Sequence, residues 1–139
     1  DVFGTLVDWH TSVARDAKAR FEAHGLPVDP HAFADDWRSR YQPAMERVRN
    51  GERPYAPIDV LHREMLDDVL AAFDIADAFD EEAWTKFART WERLDPWPGV
   101  VEGLNSLRKT AFIAPCSNGS TALMSGFNDS TMSGSLPAK

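Results

Sequence analysis

The sequence predicts an α/β fold in which a block of helices interrupts a core built on parallel strands. Two observations carry this. Segments 2–7 and 110–114 are short and apolar and lie beside polar, turn-forming residues, as buried parallel strands do. Between them, apolar residues recur at three- and four-residue steps, the period of amphipathic helices. Ligands of open parallel sheets bind beyond the carboxyl ends of the strands, here residues 1–5 and 117–120.

In chain order, Asp1-Val2-Phe3-Gly4-Thr5-Leu6-Val7 reads as the end of a buried strand turning into a loop, with no upstream half. The expectation is a piece of a longer chain. Residues 11–24 form a polar, Ala-rich helix that offers Val13, Ala17, Ala19 and Phe21 to one face and stops at Gly25. Asp29-Pro30 opens a second helix, with Asp29 as N-cap and Pro30 in the first turn. Phe33, Trp37 and Tyr41 follow at four-residue spacing, a stripe read as a core-facing seam. Asn50-Gly51-Glu52-Arg53-Pro54 is a loop. Residues 57–73 make the clearest helix, with Leu61, Met65, Leu66, Val69, Leu70 and Phe73 in phase. Asp80 caps a helix containing Trp84, Phe87 and Trp91.

Asp95-Pro96-Trp97-Pro98-Gly99 is a hard break, taken as a domain boundary. Residues 100–109 then read as a helix with Val101, Leu104 and Leu107 inward, followed by the strand over 110–114 and the polar loop Pro115-Cys116-Ser117-Asn118-Gly119-Ser120. Residues 125–135 show neither period. The expected organisation is core start over 1–10, helical cap over 11–95, core helix, strand and loop over 96–121, and a disordered tail over 122–139.

Composition bounds the function. The chain has 139 residues, 43% hydrophobic and 27% charged, with a formal net charge of −7. That length buries a core, and the apolar content excludes wholesale disorder. An acidic balance argues against nucleic acid as the main partner. No apolar run approaches the roughly 20 residues of a membrane span. A single cysteine, Cys116, excludes an internal disulfide and fits a reducing cytoplasm; beside a strand end it reads as a buried thiol. His10, His24, His31 and His62 are scattered without ligand spacing, so neither metal nor cofactor is expected.

The residues at the strand ends match a family. Asp1-Val2-Phe3-Gly4-Thr5-Leu6-Val7-Asp8-Trp9 resembles the first motif of the haloacid dehalogenase-like (HAD) superfamily, and Ser117-Asn118-Gly119 resembles its second. The helical block occupies the place of that family's cap, so the resemblance implies a HAD-like Rossmannoid core, incomplete here, with an inserted helical cap domain. Trp37-Arg38 and the linker Leu94-Asp95-Pro96-Trp97-Pro98-Gly99 are similar to those of type II 2-haloacid dehalogenases. The resemblance covers about residues 1 to 121.

Phe3 divides the superfamily's chemistries. Its phosphatases carry Asp-x-Asp, the second Asp protonating a leaving alkoxide. Halide departs without a proton, and Phe3 in place of that acid leaves an apolar wall suited to carbon–halogen displacement. The resemblance implies that the Asp1 carboxylate displaces halide from C2 of a short 2-haloalkanoic acid, forming an ester with inversion. Water then attacks the Asp1 carboxyl carbon and releases a 2-hydroxy acid. It further implies that Thr5 holds the Asp1 carboxylate or the hydrolytic intermediate, that Arg38 receives the halide, and that Ser117 and Asn118 donate to substrate carboxylate and halide. Phe3 and Trp37 would form the dry wall. The implied partners are the haloacid and water, without nucleic acid, membrane, metal or cofactor. Capped domains of this kind are commonly homodimers.

The chain departs from the family at Pro115, where a strand residue would donate to the ladder, and beyond Thr121, where the family supplies a Lys and a water-positioning strand end; Lys139 lacks that context. The 139 residues alone are therefore expected to fold poorly and turn over little. Two alternatives stand beside dehalogenation: a phosphatase-like relative using Asp1 with Mg²⁺, and a non-catalytic helical binding module.

Overall fold

The structure, a computed structural model, describes residues 1–125. It divides into two compact units, one formed by Asp1–Trp9 with the residues from Trp91 onward, the other by His10–Thr90. The fold is the helix-rich, capped part of an α/β architecture with a small sheet.

The helical unit holds five helices. α1 (Trp9–Ala23) buries Val13, Ala14, Ala17 and Phe21, and Gly25 takes φ +64° just past its end. Ala19, expected on the same face, is exposed. Two residues from Ala17 is about 200° of helical rotation, the far side of the cylinder. α2 (Pro30–Ser39) starts as expected, the Asp29 carboxylate accepting the His31 and Ala32 backbone N–H groups at 2.8 and 3.3 Å.

The aromatic stripe does not run along one helix. α2 ends at Ser39, and Tyr41 begins α3 (Tyr41–Arg49). Pro43 is the reason. Inside a continuous helix its ring would meet the Ser39 carbonyl and it could donate no hydrogen bond, whereas the first turn of a new helix tolerates it. Phe33 and Trp37 are fully buried, and Tyr41 is half-buried.

α4 (Ile58–Ala72) is the hub, packed against α2, α3 and α5 (Glu81–Ala88). Its buried stripe is Leu61, His62, Met65, Leu66, Val69 and Leu70. A 3₁₀ turn, Ala76–Ala78, links it to α5, where Asp80 caps the Ala83 N–H at 2.8 Å. Phe33 is the centre of this interior. Its ring lies 5.1 Å from Phe21, 5.4 Å from Phe87, 5.6 Å from Phe73 and 6.1 Å from Trp37. Arg63 reaches from α4 to Glu81 of α5 at 2.8 Å, an exposed pair that adds at most about 1 kcal/mol.

In the other unit, β1 (Val7–Asp8) pairs antiparallel with β2 (Asp95–Pro96), Val7 opposite Pro96 and Asp8 opposite Asp95. α6 (Val100–Leu107) follows a glycine, Gly99, at φ +84°. The parallel strand expected over 110–114 is absent from the described sheet, and Phe112 is fully exposed. A buried parallel strand draws its stability from neighbours on both edges, and the described residues place none beside this segment. Two further expectations change with it: Leu107 is exposed and Cys116 is an exposed thiol. Residues 121–125, in the stretch expected to be irregular, are helical with Leu123 buried. Ser120 is the cause, its hydroxyl oxygen accepting the Leu123 N–H at 3.2 Å in N-cap fashion. The rest of the expected tail, 126–139, lies outside the described residues.

Truncating Phe33 to Ala removes a ring with four aromatic neighbours from a site without solvent. The expected loss is about 3–5 kcal/mol of helical-unit stability, read as a lower urea midpoint with an unchanged slope.

Candidate functional site

Asp1 heads the first unit, and the chain behind it is folded into a tight turn. Val2 and Val7 are buried anchors. The Val2 carbonyl accepts the Leu6 N–H at 2.8 Å and the Thr5 N–H at 3.2 Å, and the Gly4 N–H donates to Val7 at 3.1 Å. Gly4 sits at φ +84°, a conformation costly for any residue with a Cβ. The second segment holds this turn from the side. The Trp97 backbone N–H donates to the Leu6 carbonyl at 3.0 Å, and its indole Nε1–H donates to the Gly4 carbonyl at 3.2 Å.

Across this frame the first and second motifs meet. The Ser117 hydroxyl donates to Asp1 Oδ1 at 3.0 Å, over a sequence separation of 116 residues. A hydroxyl donated to a carboxylate stabilises its charged form and fixes one oxygen, leaving the other to act. The resemblance had Ser117 facing substrate; in this structure its hydroxyl is spent on Asp1. Asn118 follows at an exposed position. Thr5 is exposed on the turn.

Phe3 is half-buried, its ring edge-on to Trp91 with centroids 6.5 Å apart. Together with Val2, Val7, Glu92, Leu94 and Leu123 these rings line a shallow open cleft. The side chain at the position of the phosphatase acid therefore stands in mostly apolar surroundings, with Glu92 at the cleft as well.

Trp37 and Arg38 belong to the helical unit. Trp37 is 0% exposed, and its Nε1–H donates to the His62 carbonyl at 3.2 Å. Its ring serves the interior between Phe33 and Phe87. Trp37 thus takes the place of the core-facing seam read from the sequence, because α2 turns its aromatic stripe inward onto α4. Arg38, one residue on and rotated about 100° around the helix, is half-buried with its guanidinium 4.8 Å above the Tyr41 ring, a cation–π contact.

The residue that sequence reasoning passed over is His62. It is 7% exposed, and burial first, then the nearby Arg38 charge, lowers its pKa to about 4. Searching for ligand spacing discarded it. Its place in the helical stripe was the usable signal, since His62, Leu66 and Val69 lie at i, i+4 and i+7. Among the described residues, no group of three or more His, Cys, Asp or Glu is arranged to hold a metal ion. No helix of the described residues is long and apolar enough to cross a membrane.

A lowered histidine pKa has a signed consequence. The unfolded chain takes up the proton near pH 6.5 and the folded one only near 4. Stability is thus complete above 6.5 and falls as pH drops toward 4, by about 3 kcal/mol. Denaturant titrations from pH 7.5 to 4 should show this decline in the native chain and lose most of it in His62→Gln.

No protein-family model and no curated protein sequence matches the chain. Solved structures do. A defluorinating L-2-haloacid dehalogenase superposes with a TM-score of 0.90 at 41% identity, covering 94% of this chain and 54% of that one. A second L-2-haloacid dehalogenase gives 0.87 at 38% identity, covering 94% and 55%. The L-2-haloacid dehalogenase from Xanthobacter autotrophicus, with chloropropionic acid covalently bound, gives 0.73 at 25% identity, covering 93% and 49%. The chain spans about half the length of the solved structures it matches, and over that half it is built as the L-2-haloacid dehalogenases are, with their HAD-like fold.

Proposed function

From this likeness to L-2-haloacid dehalogenases, hydrolases of carbon–halide bonds, we propose that the chain carries the nucleophile and the halide acceptor of an enzyme that converts short 2-haloalkanoic acids to 2-hydroxy acids. The single observation that carries the reading is the Ser117–Asp1 hydrogen bond at 3.0 Å, which joins the first motif to the second. It leaves Asp1 with one oxygen held and one oxygen available for attack.

The steps follow from the chemistry of the groups. The free oxygen of Asp1 attacks C2 opposite the halogen, the carbon–halogen bond breaks, and an ester joins Asp1 to the inverted carbon. The covalent chloropropionic acid adduct of the Xanthobacter enzyme supports this route. Water then attacks the ester at the Asp1 carboxyl carbon, so the alcohol oxygen of the product is the former carboxylate oxygen of Asp1. Arg38, always charged, receives the halide. Thr5 and Asn118 steady the carboxylate and the substrate. Phe3 keeps the nucleophile's flank apolar, which strengthens electrostatic interactions by excluding water. Trp37 contributes from below, by anchoring the helix that carries Arg38. The proposal needs neither metal nor cofactor. It includes a cytoplasmic setting, supported by the acidic balance and the single thiol, Cys116.

Halide release from 2-chloropropionate by the whole enzyme, followed with and without Mg²⁺, tests the reading against phosphoryl chemistry. Release should be independent of Mg²⁺, with no phosphate freed from a generic phosphate ester. Asp1→Asn should lower halide release by about a thousandfold or more. A single turnover in heavy-oxygen water should label Asp1 and leave the hydroxy acid unlabelled. Label appearing in the product of the first turnover would sink the ester route, because water would then have attacked C2 directly.

A further inference from the structure

We propose that Trp97 is the positioning residue for Asp1: its indole N–H holds the Gly4 carbonyl, and through it the turn that aims the carboxylate. This rests on the reading of Asp1 as the nucleophile and adds the group that sets its direction.

The turn needs an outside hold. The Val2 carbonyl accepts the Thr5, Leu6 and Val7 N–H groups at 3.2, 2.8 and 3.3 Å, and the Val7 carbonyl accepts the Gly4 N–H at 3.1 Å. These bonds close the turn on itself, with Gly4 inside it at φ +84°. A residue without Cβ suits that angle, and the same lack of Cβ leaves its ψ loosely restrained. The carbonyls of Gly4 and Leu6 find one partner between them. The Trp97 indole Nε1–H donates to Gly4 at 3.2 Å, and the Trp97 backbone N–H donates to Leu6 at 3.0 Å. Both bonds lie inside the first unit.

Trp97 is itself built to stay still. It stands between Pro96 and Pro98, neither of which has a backbone N–H to give. On one side, Pro96 is registered opposite Val7 in the ladder. On the other, Trp97-Pro98-Gly99-Val100 makes a type II turn, with Pro98 second and Gly99 third at φ +84° and ψ −8°. The Trp97 carbonyl closes it by accepting the Val100 N–H at 3.1 Å. The backbone is thus fixed from both sides without help from the ring.

The ring is 40% exposed, too open for core packing to account for it. What it supplies is one directed donor. In-line displacement at carbon tolerates little misalignment, a shift of about 1 Å costing about a hundredfold. Ser117 holds one carboxylate oxygen of Asp1, and Trp97 holds the backbone from which that carboxylate springs.

Variants of the whole enzyme and one exchange measurement test this. Trp97→Phe keeps an aromatic ring and the backbone bonds of position 97 and deletes the donor. Trp97→His returns an N–H at the equivalent ring atom, Nε2, and is neutral at about pH 8. Ester formation on Asp1, followed by rapid quench in a single turnover, should slow about tenfold or more in Trp97→Phe. In Trp97→His it should stay within about threefold of native, with KM changed less than about twofold in either variant. The native Trp97 Nε1–H, assigned by its nuclear Overhauser contact with Gly4, should exchange with solvent at least about tenfold more slowly than a free indole. The inference is overturned if Trp97→Phe forms the ester at the native rate or loses only in KM. It is overturned equally if Trp97→His is as slow as Trp97→Phe, since ring bulk would then be the cause, or if the native indole N–H exchanges like a free one. Halide release that survives Asp1→Asn strikes instead at the nucleophile reading, and the exchange rate then decides the Trp97–Gly4 hold by itself.

Discussion

The clasp between β1 and β2 is the constraint on which the rest depends. A long helical insertion leaves the first unit after Trp9 and returns at Trp91, and its two ends must be brought together against chain entropy. Two ladder residues on each side are a short sheet, too little to do this unaided. Trp97 reinforces it with two hydrogen bonds to the opposite strand's turn, at Leu6 and Gly4. Trp9 and Trp91, at the two junctions, stack with centroids 6.1 Å apart. The clasp also shapes the chemistry. The carbonyl that Trp97 holds belongs to Gly4, and the turn so fixed carries Asp1 at its head. A change at Trp97 would thus reach Asp1 through the turn without touching it.

A second constraint works inside the helical unit. Phe33 and Trp37 bury one face of α2 completely, which sets the face that the helix turns inward. Arg38 inherits its direction from that burial, and the Trp37 bond to His62 fixes its height along α4. Close packing makes such an interior stiff, so a side chain carried on its rim is held in place by the helix beneath it.

Much of this was legible in the sequence because the signals were local. Asp29 with Pro30, Gly25, Asp80 and the α4 period each specify backbone within a turn or two, and all appear as read. The misses have longer reach. The Phe33–Tyr41 stripe satisfied the helical period while Pro43, two residues further on, broke the helix. Residues 110–114 have the composition of a buried strand, and composition does not supply the neighbouring strands that make one. The Ser117 bond to Asp1 spans nearly the whole chain, and no spacing rule shows which partner a loop hydroxyl will choose. His62 has no ligand spacing and belongs instead to a buried helix face, a place set by packing across elements and not by its neighbours in sequence.

Phe3 draws these threads into one chemical argument. A carboxylate that must attack carbon gains from being poorly solvated, and one that must attack phosphorus next to a metal gains from a second acid. Phe3, two residues from the exposed Asp1, packs edge-on to Trp91 in a cleft lined mostly by apolar side chains, with Glu92 among them. The Ser117 hydroxyl donates to one oxygen of Asp1, and a single donor supports a carboxylate without occupying both of its oxygens. In the proposed displacement the leaving group is a halide, which takes no proton and asks only for a fixed positive field, such as the proposed acceptor Arg38 would supply. Replacing Phe3 by a carboxylate would put a second negative charge beside Asp1, raising the cost of ionising it and opposing the approach of an ionised haloacid. The apolar residue at this position is thus a requirement of the proposed displacement, in the same way that the second acid is a requirement of phosphate ester cleavage.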